Sequence, residues 1–446
     1  MDPDWLRLLS PARRAAAPEG LGRARSPFQR DHDRELFSGP FRRLADKTQV
    51  FPLPYDDHVH SRLTHSLEVA AIGRSLGTLV GRRILADRPD LAGGLEDRDF
   101  GDCIAAACLA HDLGNPPFGH VGEEAIQEFF RASPPEPLWA ELSAEQRADF
   151  ARFEGNAQTF RIVTRLERPL REGGLDLAHA TLGALVKYPC TAAAADRAAG
   201  RASLKKHGVF GADLPAFEHT ATALGLARAP GGRPAWRRHP LAFLTEAADD
   251  IAYNILDLED GYRLKYVDER AYLALMEPLR GAARPDGPLP PPRSRAEQLD
   301  RADFLRAAAV DTLVHQFADA FVARLDGILD GTFDRPLAAE VPDREALAEI
   351  GRTCLERCYR ARDVLKMELT GAEAIQGLLA IFTGAFAAPG SLRAAHLARL
   401  LPTLFEEAPA YEKLLRLTDH VSGMTDHYAV RLYRELRGMR YPGGRD

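Results

Sequence analysis

The sequence lacks the marks of several large protein classes. It has five cysteines, Cys103, Cys108, Cys190, Cys354 and Cys358, and no CxxC pair. That excludes a disulfide framework or a paired-cysteine zinc site as the basis of the fold and suits packed, reduced thiols. No uncharged apolar run reaches the roughly 20 residues needed to span a bilayer. The opening stretch MDPDWLRLLSPARRAAAPEG carries no long apolar segment of the secretory kind. A cytoplasmic protein with no membrane span is therefore expected. No glycine-rich loop ending in Lys-Ser or Lys-Thr occurs, which sets aside P-loop chemistry. Positive charge is not in excess: 58 Lys and Arg face 64 Asp and Glu, a formal net charge of −6. Wholesale coating of nucleic acid is disfavoured on that balance. There is no internal repeat, and alternating β-branched runs are few.

What is present is Ala, Leu, Arg and Glu at helical spacing, which predicts an all-α protein. Residues 62–86 carry a stripe of Leu63, Leu67, Ala70, Ala71, Leu76, Leu79, Val80 and Ile84. Residues 102–113 read as a short buried helix, with Asp102 as N-cap and Gly114 as its stop. Pro116 and Pro117 bar its continuation, and a helix restarts over 123–131. Further helices are predicted at 151–170, 175–187, 243–260, 302–331, 343–386, 391–419 and 425–437. Loops are expected at 189–203, 228–240 and 281–295, the last holding Pro285, Pro288 and the run Pro290 to Pro292. The chain thus divides into an N-terminal arm with first helices (1–60), a motif-bearing core (61–280), a Pro-rich linker (281–300) and a helical C-terminal region (301–446).

His111 and Asp112 stand side by side at the end of an almost wholly apolar helix. An ionisable pair in that setting is costly without partners. His65 upstream and Asp249 and Asp250 downstream can supply them. Two imidazoles and two carboxylates leave open positions on a six-coordinate metal, and such mixed ligation suits Mn, Fe, Co, Ni or Mg better than a structural zinc. Asp249, Tyr253 and Asp257 recur at i, i+4 and i+8 and share one helix face, whereas Asp250 is turned about 100° away. Asp249 is therefore the expected ligand, with Tyr253 and Asp257 towards substrate; the plainer reading of Tyr253 is a core tyrosine.

The segment Gly-Asn-Pro-Pro-Phe-Gly-His-Val-Gly-Glu (114–123) is an irregular loop directly after the metal pair. It would deliver Asn115, His120 and Glu123 to the metal. A carboxylate beside an imidazole orients it and makes a general acid; the plainer reading of Glu123 is a charge favoured at a helix N-terminus. Among cations, Arg62 lies three residues before His65 on the same face, Lys187 ends a helix, and Arg42, Arg43 and Lys47 precede Gln49.

With these residues in place the chain resembles the dGTPase family of HD-type deoxynucleoside triphosphate triphosphohydrolases. The resemblance runs through Arg-Ser-Pro-Phe-Gln-Arg-Asp (25–31), Phe-Arg-Arg-Leu-Ala-Asp-Lys-Thr-Gln-Val-Phe (41–51) and Arg-Leu-Thr-His-Ser-Leu-Glu-Val (62–69). It continues through residues 110–120, Phe-Glu-Gly-Asn-Ala-Gln (153–158), Glu-Ala-Ala-Asp-Asp-Ile-Ala-Tyr (246–253) and Ser-Gly-Met-Thr-Asp-His-Tyr-Ala (422–429). It implies an HD-domain helical fold with a helical C-terminal extension, residues 61–280 being the HD core. It also implies hydrolysis of dGTP or another dNTP at the α-phosphorus, giving deoxynucleoside and intact triphosphate.

By the same resemblance His65, His111, Asp112 and Asp249 would hold one divalent metal (Mn, Mg, or another of Fe, Co and Ni). His120, oriented by Glu123, would protonate the leaving 5′-oxygen. Arg62, Asn115 and Lys187 would lie near the triphosphate, Tyr253 against the deoxyribose, and Gln49 and Asp257 at the 3′-hydroxyl. A homo-oligomer, hexamer or dimer, is implied, with an allosteric dNTP or single-stranded DNA as further partners. The Arg-rich stretch from Arg23 to Arg43 could serve them. Two other readings stay open: an HD-type nucleotidase or phosphodiesterase, and a dNTP-binding regulatory or DNA-associated protein.

Overall fold

A computed structural model describes residues 4–14, 25–52, 58–91, 93–167, 174–283 and 292–439. The described residues form helices joined by short turns, and their only β-type pairings are isolated bridges such as Thr48 with Ser61. The protein is all-α. The helices that build and support the site are α1 (Arg62–Asp87), α2 (Asp97–Ala110), α3 (His120–Ala132), α4 (Pro240–Arg263), α5 (Arg295–Ala323), α6 (Arg362–Ala387), α7 (Ala410–Ser422) and α8 (Asp426–Leu436).

α1 begins at a capping box: the Ser61 hydroxyl accepts from the Thr64 amide, and Thr64 returns the bond to Ser61. Its buried face is rotated from the expected stripe. Leu67 is 39% exposed and Ala71 also faces outward. The inner face instead carries Val69, Leu76 and Val80 together with Gly73, Gly77 and Gly81. These glycines let α2 approach closely. A Cβ on Gly73 would sit 2.6 Å from Cys108 Sγ, and one on Gly77 would sit 2.7 Å from Ile104 Cδ1.

The start of α2 also differs from expectation. Glu96, not Asp102, is the N-cap. Asp102 lies in the second turn and accepts from Ser26 Oγ. The helix ends at Ala110, so His111 and Asp112 sit in the turn that follows.

Other helices break where backbone chemistry requires it. Residues 151–170 give Gly155–Arg161 followed by a π-turn over Ile162–Leu166, and 175–187 shortens to His179–Leu185. Pro240 joins α4 at its first turn, where it has no hydrogen bond to lose. Residues 302–331 start earlier, at Arg295 under a Ser294 cap, and break after Ala323. The run 343–386 splits at a π-helical turn, Cys354–Tyr359, and 391–419 splits at Pro402 and Pro409.

Two apolar clusters form. The first gathers α1, α2, α4 and α5 through Val69, Ile104, Ile251, Leu313 and Phe317. The second joins α3 to α6 and α7 through Ile126, Phe130, Ile375, Phe382 and Leu414. Residues between 301 and 439 contribute to both clusters, and residues 284–291 of the Pro-rich stretch lie outside the described ones. α6 is long and apolar enough to cross a membrane by length and composition, yet half of its most apolar window is buried within the molecule.

Candidate metal centre and active site

α1 and α2 run past each other so that the first turn of α1 meets the end of α2. This places His65 and His111 with ring centroids 5.4 Å apart. α4 brings the third group: Asp249 Oδ1 lies 3.3 Å from His65 Nε2 and 3.5 Å from His111 Nε2. One ligand atom from each of the three falls within 4.8 Å of the others. Both histidines are buried. His111 Nδ1 donates to the Cys108 carbonyl at 2.6 Å, which turns Nε2 towards the cluster. Asp112 adds a carboxylate oxygen 3.4 Å from His111 Nε2. Two imidazoles and two carboxylates converging in a buried pocket suit a divalent cation with mixed N/O ligation.

Each carboxylate divides its oxygens between two tasks. Asp249 turns Oδ1 to the histidines, and its Oδ2 accepts from Lys187 Nζ at 2.6 Å. Asp112 accepts from Asn115 Nδ2 on Oδ1 and from Arg62 on Oδ2, at 2.5 and 2.7 Å. Burial alone would raise both acids. The charges of Lys187 and His111 hold Asp249 well below the ordinary carboxylate range, and those of His111 and Arg62 hold Asp112 there. Arg62, Asn115 and Lys187 thus brace the Asp112 and Asp249 carboxylates, a task their spacing did not reveal.

Gln49, Arg62, His65, His111, Asp112, Asn115, His120, Glu123, Lys187, Asp249, Tyr253 and Asp257 all line one cavity of about 550 Å³. Asp250, rotated off that face, does not line it. Gln49 Oε1 is buried with no hydrogen-bond partner among the described residues. His120 opens α3 and is exposed, whereas Glu123 is buried. No hydrogen bond joins the two among the described residues. Glu123 Oε1 accepts from the Gly155 amide at 2.6 Å, and its Oε2 lies 3.8 Å from Lys206 Nζ.

The turn before His120 requires glycine. Gly119 has φ +58, and a Cβ there would lie 2.2 Å from an Arg62 guanidinium nitrogen.

Two wall residues, Tyr359 and Lys206, and Glu154 paired with the latter, escaped sequence reasoning. Tyr359, at the end of the π-turn, donates to Asp257 Oδ2 at 2.6 Å. Burial pushes Asp257 up to about 6. Lys206 pairs with Glu154 at 2.9 Å, and burial, aided by the charge of Glu123, lifts Glu154 to about 7. Glu154 sits in the quoted Phe-Glu-Gly-Asn-Ala-Gln block, which was the one available signal; Lys206 and Tyr359 lie outside every quoted block. A cleft of about 1290 Å³ shares His120, Glu123, Lys205 and Lys206 with this cavity. In the Arg-rich stretch, Arg25 pairs with Asp33 and Arg34 with Asp176, while Arg23 lies outside the described residues.

Residues 62–188 match the HD domain model, and 337–435 match that of a phosphohydrolase-associated domain. A deoxyguanosinetriphosphate triphosphohydrolase-like protein of Synechocystis is 40% identical over 98% of this chain and 99% of its own length. The chain belongs to the deoxyguanosinetriphosphate triphosphohydrolase family. A like-named protein of Pseudomonas aeruginosa is 38% identical, over 98% of this chain and 100% of its own. A Yersinia pestis family member, named deoxyguanosinetriphosphate triphosphohydrolase, is 30% identical over 92% and 93%. The family places this chain among the hydrolases, and the HD domain among metal-dependent ones, in keeping with the His65, His111 and Asp249 cluster.

Proposed function

We propose that the protein hydrolyses a deoxynucleoside triphosphate at the α-phosphorus, releasing a deoxynucleoside and inorganic triphosphate. The observation that carries this reading is a single cavity holding a His-His-Asp cluster, several cations and an imidazole, with Tyr253 and Asp257 on its wall.

His65, His111, Asp249 and Asp112 would hold the cation, Mn or Mg or another of Fe, Co and Ni. Bound there, it supplies Lewis acidity at a phosphoryl oxygen and a more acidic water. Lys187, Arg62 and Lys206 counter the triphosphate charge. Water oxygen attacks the α-phosphorus, the bond to the 5′-oxygen breaks and that oxygen takes a proton from His120, while the proton shed by the attacking water passes to solvent, from which the imidazole is reprotonated for the next turnover. An unprotonated alkoxide is a poor leaving group, so the imidazole lowers the barrier. Glu123, fixed by the Gly155 amide, lines the pocket beside His120. Tyr253 packs against the sugar where a ribose 2′-hydroxyl would clash, while Gln49 and Asp257 bond the 3′-hydroxyl. The unpartnered Gln49 Oε1 suits that task.

Ion-exchange analysis of products from each dNTP, alone and mixed, with Mn or Mg, tests this. Deoxynucleoside with intact triphosphate is expected. Mono- or diphosphate products would instead establish a nucleotidase-type reaction.

A further inference from the structure

The catalytic loop is held from the far end of the chain. Asp426 is the first residue of α8, and it is 5% exposed. Its carboxylate accepts two backbone amides: Oδ1 takes Phe118 and Oδ2 takes Thr48, both at 2.9 Å. These partners lie 308 and 378 residues away. Lys47, 2% exposed, makes the matching contact in the other direction. Its ammonium donates to the Asn115 carbonyl and to the Ser422 carbonyl at the end of α7.

What these bonds hold is the machinery itself. Thr48 precedes Gln49. The Lys47 carbonyl accepts the Arg62 amide at 3.0 Å, which ties in the turn of α1 that carries Arg62 and His65. Phe118 lies two residues before His120 in left-handed backbone, φ +62. For a bulky residue that conformation costs on the order of 1–3 kcal/mol and persists only where the surroundings enforce it. Two contacts enforce it here. Asp426 holds the Phe118 amide, and the Phe118 ring packs on Gly371 of α6, where a Cβ would sit 2.4 Å from the ring.

We propose that Asp426, seconded by Lys47, is a positioning residue: it fixes the 115–120 loop and the Gln49 segment against each other, so that proton transfer and sugar binding are set by the C-terminal helices. The proposal rests on the reading of the site given above. The isosteric carboxylate suits this task because two amides need two acceptor oxygens. An amide side chain in its place offers one acceptor and turns a donor towards the other N–H.

Asp426→Asn is the variant to make, with Thr425→Ala as its control. Thr425 N-caps the same helix by accepting from Tyr428, and among the described residues its side chain makes no hydrogen bond to either loop. Its loss weakens α8 without moving the brace. Hydrogen exchange of peptides covering 45–50 and 113–121, in the metal-free chain, needs no activity. Exchange in both peptides should rise at least about tenfold in Asp426→Asn and stay unchanged in Thr425→Ala. In turnover, Asp426→Asn should lose about 10- to 100-fold in kcat, in line with small misplacements of catalytic groups, while metal affinity holds. Unchanged exchange in Asp426→Asn would overturn the brace. So would Thr425→Ala matching its loss of kcat, and so would raised exchange with wild-type turnover. Should the wild-type chain give no deoxynucleoside and triphosphate from any dNTP, the reading of the reaction fails, and the exchange result alone decides the brace.

Discussion

At the residue scale the site is a set of shared atoms. Asp249 gives Oδ1 to the histidines and Oδ2 to Lys187, and Asp112 gives Oδ1 to Asn115 and Oδ2 to Arg62, so protein partners orient both carboxylates. This separates binding from chemistry in a testable way. His111→Ala removes a nitrogen from the cluster and should leave a chain that neither retains a divalent metal nor turns over. His120 lies outside the cluster, so His120→Ala should keep metal binding while kcat falls roughly 10²- to 10⁴-fold, the usual worth of a general acid. Calorimetric metal titration beside steady-state kinetics decides the matter, and full activity in His120→Ala would remove its assigned role. These residues were legible because the chemistry is local in sequence: a His-Asp pair, a loop of Gly and Pro, an i, i+4, i+8 face. Tyr359 and Lys206 were not, since each reaches the pocket by tertiary packing and carries no spacing that points there.

At the element scale periodicity found most helices and misjudged their faces and breaks. It counted Leu67 and Ala71 inward because it scores apolar side chains, whereas α1 buries its glycines. Absent side chains carry no hydropathy signal, yet they decide how closely α1 and α2 approach and so where His65 and His111 stand. Gly77→Ala tests this. Alanine gains about 1 kcal/mol in helix propensity. Its Cβ, however, would meet the Phe100 carbonyl at 2.8 Å and Gly101 Cα at 2.9 Å. Both are backbone atoms, so only a helix shift relieves the clash, at about 1–3 kcal/mol. A net loss of stability in urea, with weakened metal affinity, is expected. Gly384→Ala on α6, where an added Cβ meets nothing within 4 Å, should be neutral or stabilising by up to about 1 kcal/mol. Equal behaviour of the two variants would show that close approach is not what Gly77 provides.

At the scale of the whole molecule the two apolar clusters are tied by buried polar links that no sequence pattern announces. Arg161, beside Phe160 and Ile162 of the first cluster, reaches Asp213 and Asp419, and within the second cluster Asp149 accepts from the Gly211 amide and from the Tyr411 hydroxyl of α7. Asp149 is 2% exposed, and burial lifts it to about 7 against an ordinary value of 3.8. Between those values the folded chain keeps a proton that the unfolded chain has lost. The contribution to stability is therefore full below the unfolded value and disappears as pH rises through about 7. Asp149→Asn cannot lose that proton. Its amide nitrogen takes the place of a buried carboxyl oxygen, so its absolute stability falls below wild type by up to about 3 kcal/mol. The pH dependence does not share that offset. The difference in Tm, variant minus wild type, should become more positive from about pH 4.5 to about pH 7 and level off above it, where Asp149 is ionised in both states of the wild type, because every other titrating group is common to both chains. A flat difference across that range would mean that Asp149 is ionised throughout.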